Sequence, residues 1–124
     1  MKKLRELTKA EDQVMQVLWK LDRAFVKDII AHLPPPKPAY TTVSTIIRIL
    51  EQKGFVGHKA YGKTYEYFPL ISRENYTRFY LNEVVNGYFG GSIRNLVSFF
   101  VKEKKLSEKE LHELLKELKT GKQP

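Results

Sequence analysis

The chain of 124 residues contains no cysteine. That absence removes disulfides, thiolate metal sites and a cysteine nucleophile at once, and it fits a reducing cytoplasm. No apolar run approaches the roughly 18 residues that a membrane span needs. The opening residues, Met1-Lys-Lys-Leu-Arg-Glu-Leu7, are charged and lead straight into a helix cap, so no signal peptide is expected there. Internal repeats and low-complexity segments are missing. Histidine is scarce, and His32, His58 and His112 lack metal-ligand spacing. There is no nucleophile motif and no glycine loop that could cradle a phosphate. Glu108, Glu110, Glu113 and Glu117 alternate with Lys109, Lys116 and Lys119, the pattern of a solvated helix face. No enzyme, cofactor or metal is expected from such a chain.

Acidic residues are also in short supply. Lys and Arg number 22 against 14 Asp and Glu, a net charge of +8, which favours an anionic partner. Residues 1–70 carry 12 basic against 7 acidic side chains and residues 71–124 carry 10 against 7, so the first part is the better candidate for a polyanion. Excess lysine kept for solubility is the plainer explanation.

The stretch from Ala39 to Val56 narrows the choice. Val43, Ile46, Ile47 and Leu50 recur at amphipathic-helix spacing. The opposite face carries Thr41, Thr42, Ser44, Thr45 and Arg48, with no acid until Glu51. A helix face chosen for solubility would carry Glu and Lys, which are better helix formers than Thr and Ser. Short hydroxyls with one cation suit a helix that approaches a crowded, hydrogen-bonding, anionic surface such as a DNA major groove; a partly buried helix with incidental threonines is the alternative. Gly54 suits the left-handed position just after the helix. Next come Phe55–Ala60, a Tyr61-Gly62-Lys63 turn and Thr64–Phe68, which read as a hairpin. His58, Lys59 and Lys63 sit near its tip. Reader helix, glycine stop and basic hairpin are the order of a winged helix, whose wing touches the DNA backbone.

Before the reader, Thr8-Lys-Ala-Glu11 is a capping box that opens a helix with Val14, Val17, Leu18 and Leu21 on one stripe. Phe25 is expected in a brief extended piece, followed by a short helix from Val26 to Leu33. Pro34-Pro-Pro-Lys-Pro38 forms the stiff turn between helices; a PxxP ligand for another module is the alternative. Beyond Ile71 the pattern is all-helical. Ser72 is expected to cap a helix to about Asn86, interrupted by Gly87, Gly90 and Gly91. Ser92 opens another helix, and Ser107-Glu-Lys-Glu110 is a second capping box. Gly121–Pro124 should fray.

The expected fold is mainly α with a small β-hairpin: an N-terminal winged helix-turn-helix over 1–71 and a C-terminal helical dimerisation domain over 72–124. About 50 residues are few for a self-sufficient core, yet this part offers three apolar stripes. Tyr76, Phe79, Tyr80, Leu96, Phe100, Leu111, Leu114 and Leu115 are the expected contacts with a second copy. Palindromic DNA sites mirror protein dimers. Packing onto the N-terminal domain of the same chain is the alternative.

Taken together, the segments Leu7-Thr8-Lys-Ala-Glu11, Val14-Met15, Leu18-Trp19, Tyr40-Thr-Thr-Val-Ser-Thr45, Leu50-Glu-Gln-Lys-Gly54-Phe-Val, Asn95-Leu-Val-Ser-Phe-Phe100-Val and Leu106-Ser107 with Glu110-Leu111 resemble the BlaI/MecI family of bacterial repressors. The match covers nearly the whole chain and is specific as an ordered set. The resemblance implies a homodimer on a double-stranded DNA operator, with Thr42, Thr45 and Arg48 in the reader helix. It also implies derepression when a partner membrane metalloprotease cuts the dimerisation region, here near Phe99–Phe100. Ile49 stands where the family often has Arg, and Phe99 where its best-known members have Asn. The missing cysteines exclude the thiolate copper sensing of a related branch. The reading from another functional class is a winged-helix module that binds proteins without reading DNA.

Overall fold

A computed structural model describes residues 4–119. Mainly α with one antiparallel hairpin, it has the fold class expected, and it begins with helix α1 (Lys9–Leu21). The expected capping box is formed: Glu11 N–H donates to Thr8 Oγ1 at 3.2 Å and Thr8 N–H donates to the Glu11 carboxylate at 2.9 Å. The same carboxylate accepts from Lys53 Nζ at 2.8 and 3.0 Å. Burial alone would raise the Glu11 pKa. The Lys53 and Thr8 hydrogen bonds outweigh it and leave the acid below its ordinary value.

Helix α2 (Val26–Ala31) is shorter than expected and stops before Leu33, whose side chain is still buried. Phe25 N–H donates to Asp28 Oδ2 at 3.0 Å and so caps it. The prolines then lead to helix α3 (Tyr40–Gln52), which buries Val43, Ile47 and Leu50. Gly54 has φ 86°. From that left-handed position Gly54 N–H reaches Glu51 O at 3.0 Å and Phe55 N–H reaches Leu50 O at 2.9 Å. The two bonds end the helix as a Schellman motif and deliver the Phe55 ring into the core, where it is fully buried.

Strands β1 (Val56–Tyr61) and β2 (Thr64–Pro69) pair antiparallel, with Val56 opposite Pro69, His58 opposite Tyr67 and Tyr61 opposite Thr64. Gly62, at φ 62°, takes the first of the two loop positions, the place a tight hairpin turn reserves for glycine. The extended piece expected at Phe25 is present, with φ −83° and ψ 162°, and it begins at Ala24. Ala24 exchanges two backbone bonds with Tyr67, at 2.8 and 3.0 Å, while Phe25 meets the Tyr61 ring edge-on at 5.9 Å.

Helix α4 (Arg73–Tyr88) runs straight through Gly87, which was expected to interrupt it. Two compact units part within this helix, between Tyr80 and Leu81, later than the boundary after residue 71 that the sequence suggested. The reason is aromatic. Tyr76 is 8% exposed and belongs to the core of the first unit. Its ring lies 5.8 Å from Phe55 and 5.9 Å from Trp19, and its hydroxyl accepts from Leu7 N–H at 2.8 Å. Trp19 Nε1 donates to Ile71 O, also at 2.8 Å. Tyr76 and, at the edge, Phe79 are therefore covered within one chain, although both were expected at a dimer interface.

The second unit contains the end of α4, helix α5 (Ile93–Lys102) and helix α6 (Glu108–Lys119). Ser92 caps α5 through Asn95 N–H at 3.1 Å, and the expected Ser107–Glu110 box is formed at 3.0 and 3.2 Å. Gly121–Pro124, expected to fray, lie outside the described residues. No helix among the described residues is long and apolar enough to cross a membrane.

Candidate nucleic-acid interface

The outward face of α3 is built as its sequence pattern implied. Thr41, Thr42, Thr45 and Arg48 are exposed and Ser44 is half-buried. The first turn holds no acid, and Ala39 supplies no side-chain cap, so no carboxylate offsets the positive end of the helix dipole. Thr45 Oγ1 donates to Thr41 O at 2.9 Å. That bond leaves Thr45 a methyl group and acceptor lone pairs to show outward. Arg48 makes no hydrogen bond or ion pair among the described residues. Its five donors are free for a planar acceptor such as a guanine edge or a phosphate.

The hairpin brings the basic tip to the same place. A cleft of about 270 Å³ is lined from the helices by Val26, Tyr40, Ser44 and Arg48, and from the hairpin by Lys63, Thr64, Tyr65 and Tyr67. Ser44 and Arg48 of α3 and Lys63 of the hairpin thus share one concave surface. Lys59 lies elsewhere on the hairpin, with its ammonium 5.3 Å from the centre of the Tyr61 ring. His58 is engaged: its Nδ1 bonds the Glu51 carboxylate, and its ring stacks on Tyr65 at 4.3 Å and 18°.

Five cleft residues, Val26, Tyr40, Thr64, Tyr65 and Tyr67, were not among the expected contacts. Tyr40 stands directly before the Thr-Thr pair, and an aromatic that is 56% exposed at the start of a reader helix is a usable signal. Tyr65, 45% exposed on the wing, is another. Thr64 gave no signal, and its hydroxyl donates to Tyr61 O at 2.9 Å. Burial raises the pKa of the Tyr67 phenol above its ordinary value; the charge of Glu51 adds to that and the charge of Arg48 opposes it. Both charges therefore act on one buried ring.

In the second unit the expected interface residues are poorly covered. Phe100, Leu114 and Leu115 are exposed, as is Phe99 of the expected cut point, and Leu96 and Leu111 are half-buried. The Phe99 ring meets Phe89 edge-on at 5.6 Å. The bond between Phe99 and Phe100 lies inside α5. Among the described residues no three histidine or acidic side chains gather as a metal site would require.

The Penicillinase repressor family profile matches residues 7–120. The penicillinase repressor of Bacillus licheniformis is 28% identical over 115 residues, covering 92% of this chain and 90% of that one. The methicillin resistance regulatory protein MecI of Staphylococcus aureus is 29% identical over 113 residues, covering 90% and 92%. The solution structure of the DNA-binding domain of the repressor BlaI matches 61% of this chain and 94% of its own length, at 30% identity and a TM-score of 0.53.

Proposed function

The chain belongs to the penicillinase repressor family, and from that premise we propose that it is a cytoplasmic, sequence-specific DNA-binding repressor that works as a homodimer on a palindromic operator. The observation that carries this reading is the unpaired Arg48 on the acid-free face of α3, in one cleft with Lys63 of the wing. A major groove admits a helix. With Thr42, Thr45 and Arg48 three residues apart, one stripe of α3 meets base edges while Lys63 and Lys59 meet phosphates, which position the protein without carrying sequence information. The apolar, uncovered faces of α5 and α6 support a second copy as the partner of residues 81–119. Two winged units held together then match two half-sites related by the same twofold axis.

Induction follows from the same layout. A membrane metalloprotease that cuts at Phe99–Phe100 removes part of the dimer contact and leaves the winged unit whole. Each unit then binds its half-site without the effective concentration supplied by the other. Because the bond lies in a helix, α5 must open locally before it is cut.

The test is selection of duplexes from a randomised pool by the wild-type chain. Two inverted half-sites are expected. Arg48→Ala should then weaken binding by about 1–3 kcal/mol with the fold intact, the size of a lost bidentate base contact. If no sequence is enriched, or Arg48→Ala binds like wild type, the chain is better described as a protein-binding module.

A further inference from the structure

We propose that His58 is a positioning residue for Arg48: by drawing the Glu51 carboxylate onto the wing, it keeps the reader-helix guanidinium free for DNA, a role that presupposes the DNA-binding reading above. Glu51 is the only acid on α3. It follows Arg48 by three residues, a spacing that makes the two side chains neighbours on the helix surface and favours an ion pair. That pair is not formed. Glu51 instead meets His58 Nδ1 from β1. A carboxylate only accepts, so Nδ1 carries the proton.

The histidine is held for this task. Its ring is stacked on Tyr65 at 4.3 Å and inclined at 59° to Tyr67, 5.9 Å away and directly opposite in the hairpin register. Tyr67 is buried, and its phenol responds to the charges of both Glu51 and Arg48. Three residues apart on α3, the carboxylate and the guanidinium are neighbours on the helix surface and can compete for each other. A carboxylate released by His58 would do double harm. It would occupy the donors of Arg48, and it would place a negative charge one helical turn from incoming phosphates. His58 acts on DNA recognition through Glu51 and needs no contact with DNA.

The experiment measures binding of wild type, Arg48→Ala, Glu51→Gln, His58→Ala and the His58→Ala/Glu51→Gln double variant to the duplex selected by wild type and to a shuffled duplex, with the unfolding midpoint of each protein. His58→Ala should bind about three- to fivefold more weakly, the size of an exposed charge term. The double variant should recover wild-type affinity, because no carboxylate remains to trap Arg48. Glu51→Gln alone, which still offers Nδ1–H an acceptor, should bind as tightly as wild type or more tightly. Undiminished binding by His58→Ala overturns the proposal. So does a double variant as weak as His58→Ala, which would mean that His58 touches DNA or merely braces the wing. Weaker binding by Glu51→Gln overturns it whether or not the alanine variant keeps an ordered wing. Failure of wild type to select any duplex sinks the DNA-binding reading and this proposal together. Loss through Arg48→Ala without the rescue sinks this proposal alone.

Discussion

Through Tyr80, the chain closes a core of its own: Met15, Leu18, Ile29, Ile47, Leu50 and Phe55 are all fully buried. From Leu81 on, Val85 is the one buried side chain among the described residues, while Tyr88, Ile93, Phe99, Phe100, Leu114, Leu115 and Leu118 face outward. Both regions have amphipathic helices with sound caps. What separates them is the supply of neighbours. In the first unit α1, α2, α3 and the hairpin bring four apolar surfaces to one centre; α5 has a stripe as apolar as that of α3, yet none of its residues is fully buried. An apolar stripe states that a surface needs covering and is silent about what covers it.

The sharpest way to break this contrast is to charge the uncovered face. Phe100→Asp should leave the winged unit folded and abolish self-association, because a dimer core cannot hold an unpaired carboxylate. Operator affinity should fall by about 10²–10⁴-fold through lost linkage of the two modules. Sedimentation would decide it: an unchanged dimer would place Phe100 outside the interface. Next in size is the opposite operation. Phe55→Ala should destabilise the first unit by about 3–5 kcal/mol in urea unfolding. Leu118→Ala, measured on dilute monomer, should stay within about 0.5 kcal/mol. Equal costs would erase the distinction between a closed unit and an open one.

A smaller effect sharpens the closed side of the comparison. Since the folded Glu11 pKa lies below its ordinary value of 4.5, its ionised form stabilises the fold above about that pH. The contribution is lost as pH falls through the depressed folded value. Glu11→Gln should therefore be less stable than wild type by about 1–2 kcal/mol at neutral pH, with the gap closing in acid. A gap that persisted in acid would assign Glu11 a purely steric role. The smallest effects belong to the wing. Lys59→Ala and Lys63→Ala should each weaken operator and random DNA about equally and lower the salt-dependence slope by about 1. A loss confined to the operator would move that lysine from phosphate to base.

Legibility in the sequence followed distance along the chain. The caps at Thr8, Ser92 and Ser107, the glycine stop at Gly54 and the existence of the hairpin each depend on residues a few places apart, and all were readable. The face of α3 was readable for the same reason, since helical spacing alone puts Thr41, Thr42, Thr45 and Arg48 outside. Long-range pairings were not. Nothing local announces that Glu11 meets Lys53, that His58 turns back to Glu51, or that Tyr76 reaches Trp19 and Phe55. The unit boundary moved into α4 for that last reason. Gly87 failed as a helix stop because glycine weakens a helix by about 1 kcal/mol without forbidding it.

The bond from Leu7 N–H to the Tyr76 hydroxyl spans 69 positions of sequence. A ribosome releases the amino end of that bond long before it makes the other, so the nascent chain must wait. When the hairpin has emerged, Phe55 and Trp19 still lack the ring that covers them, and only the first turns of α4 complete the domain. A fragment ended at residue 71 would preserve that unfinished stage indefinitely. The place where translation makes the winged unit whole is therefore inside a helix, beyond the last residue of the wing.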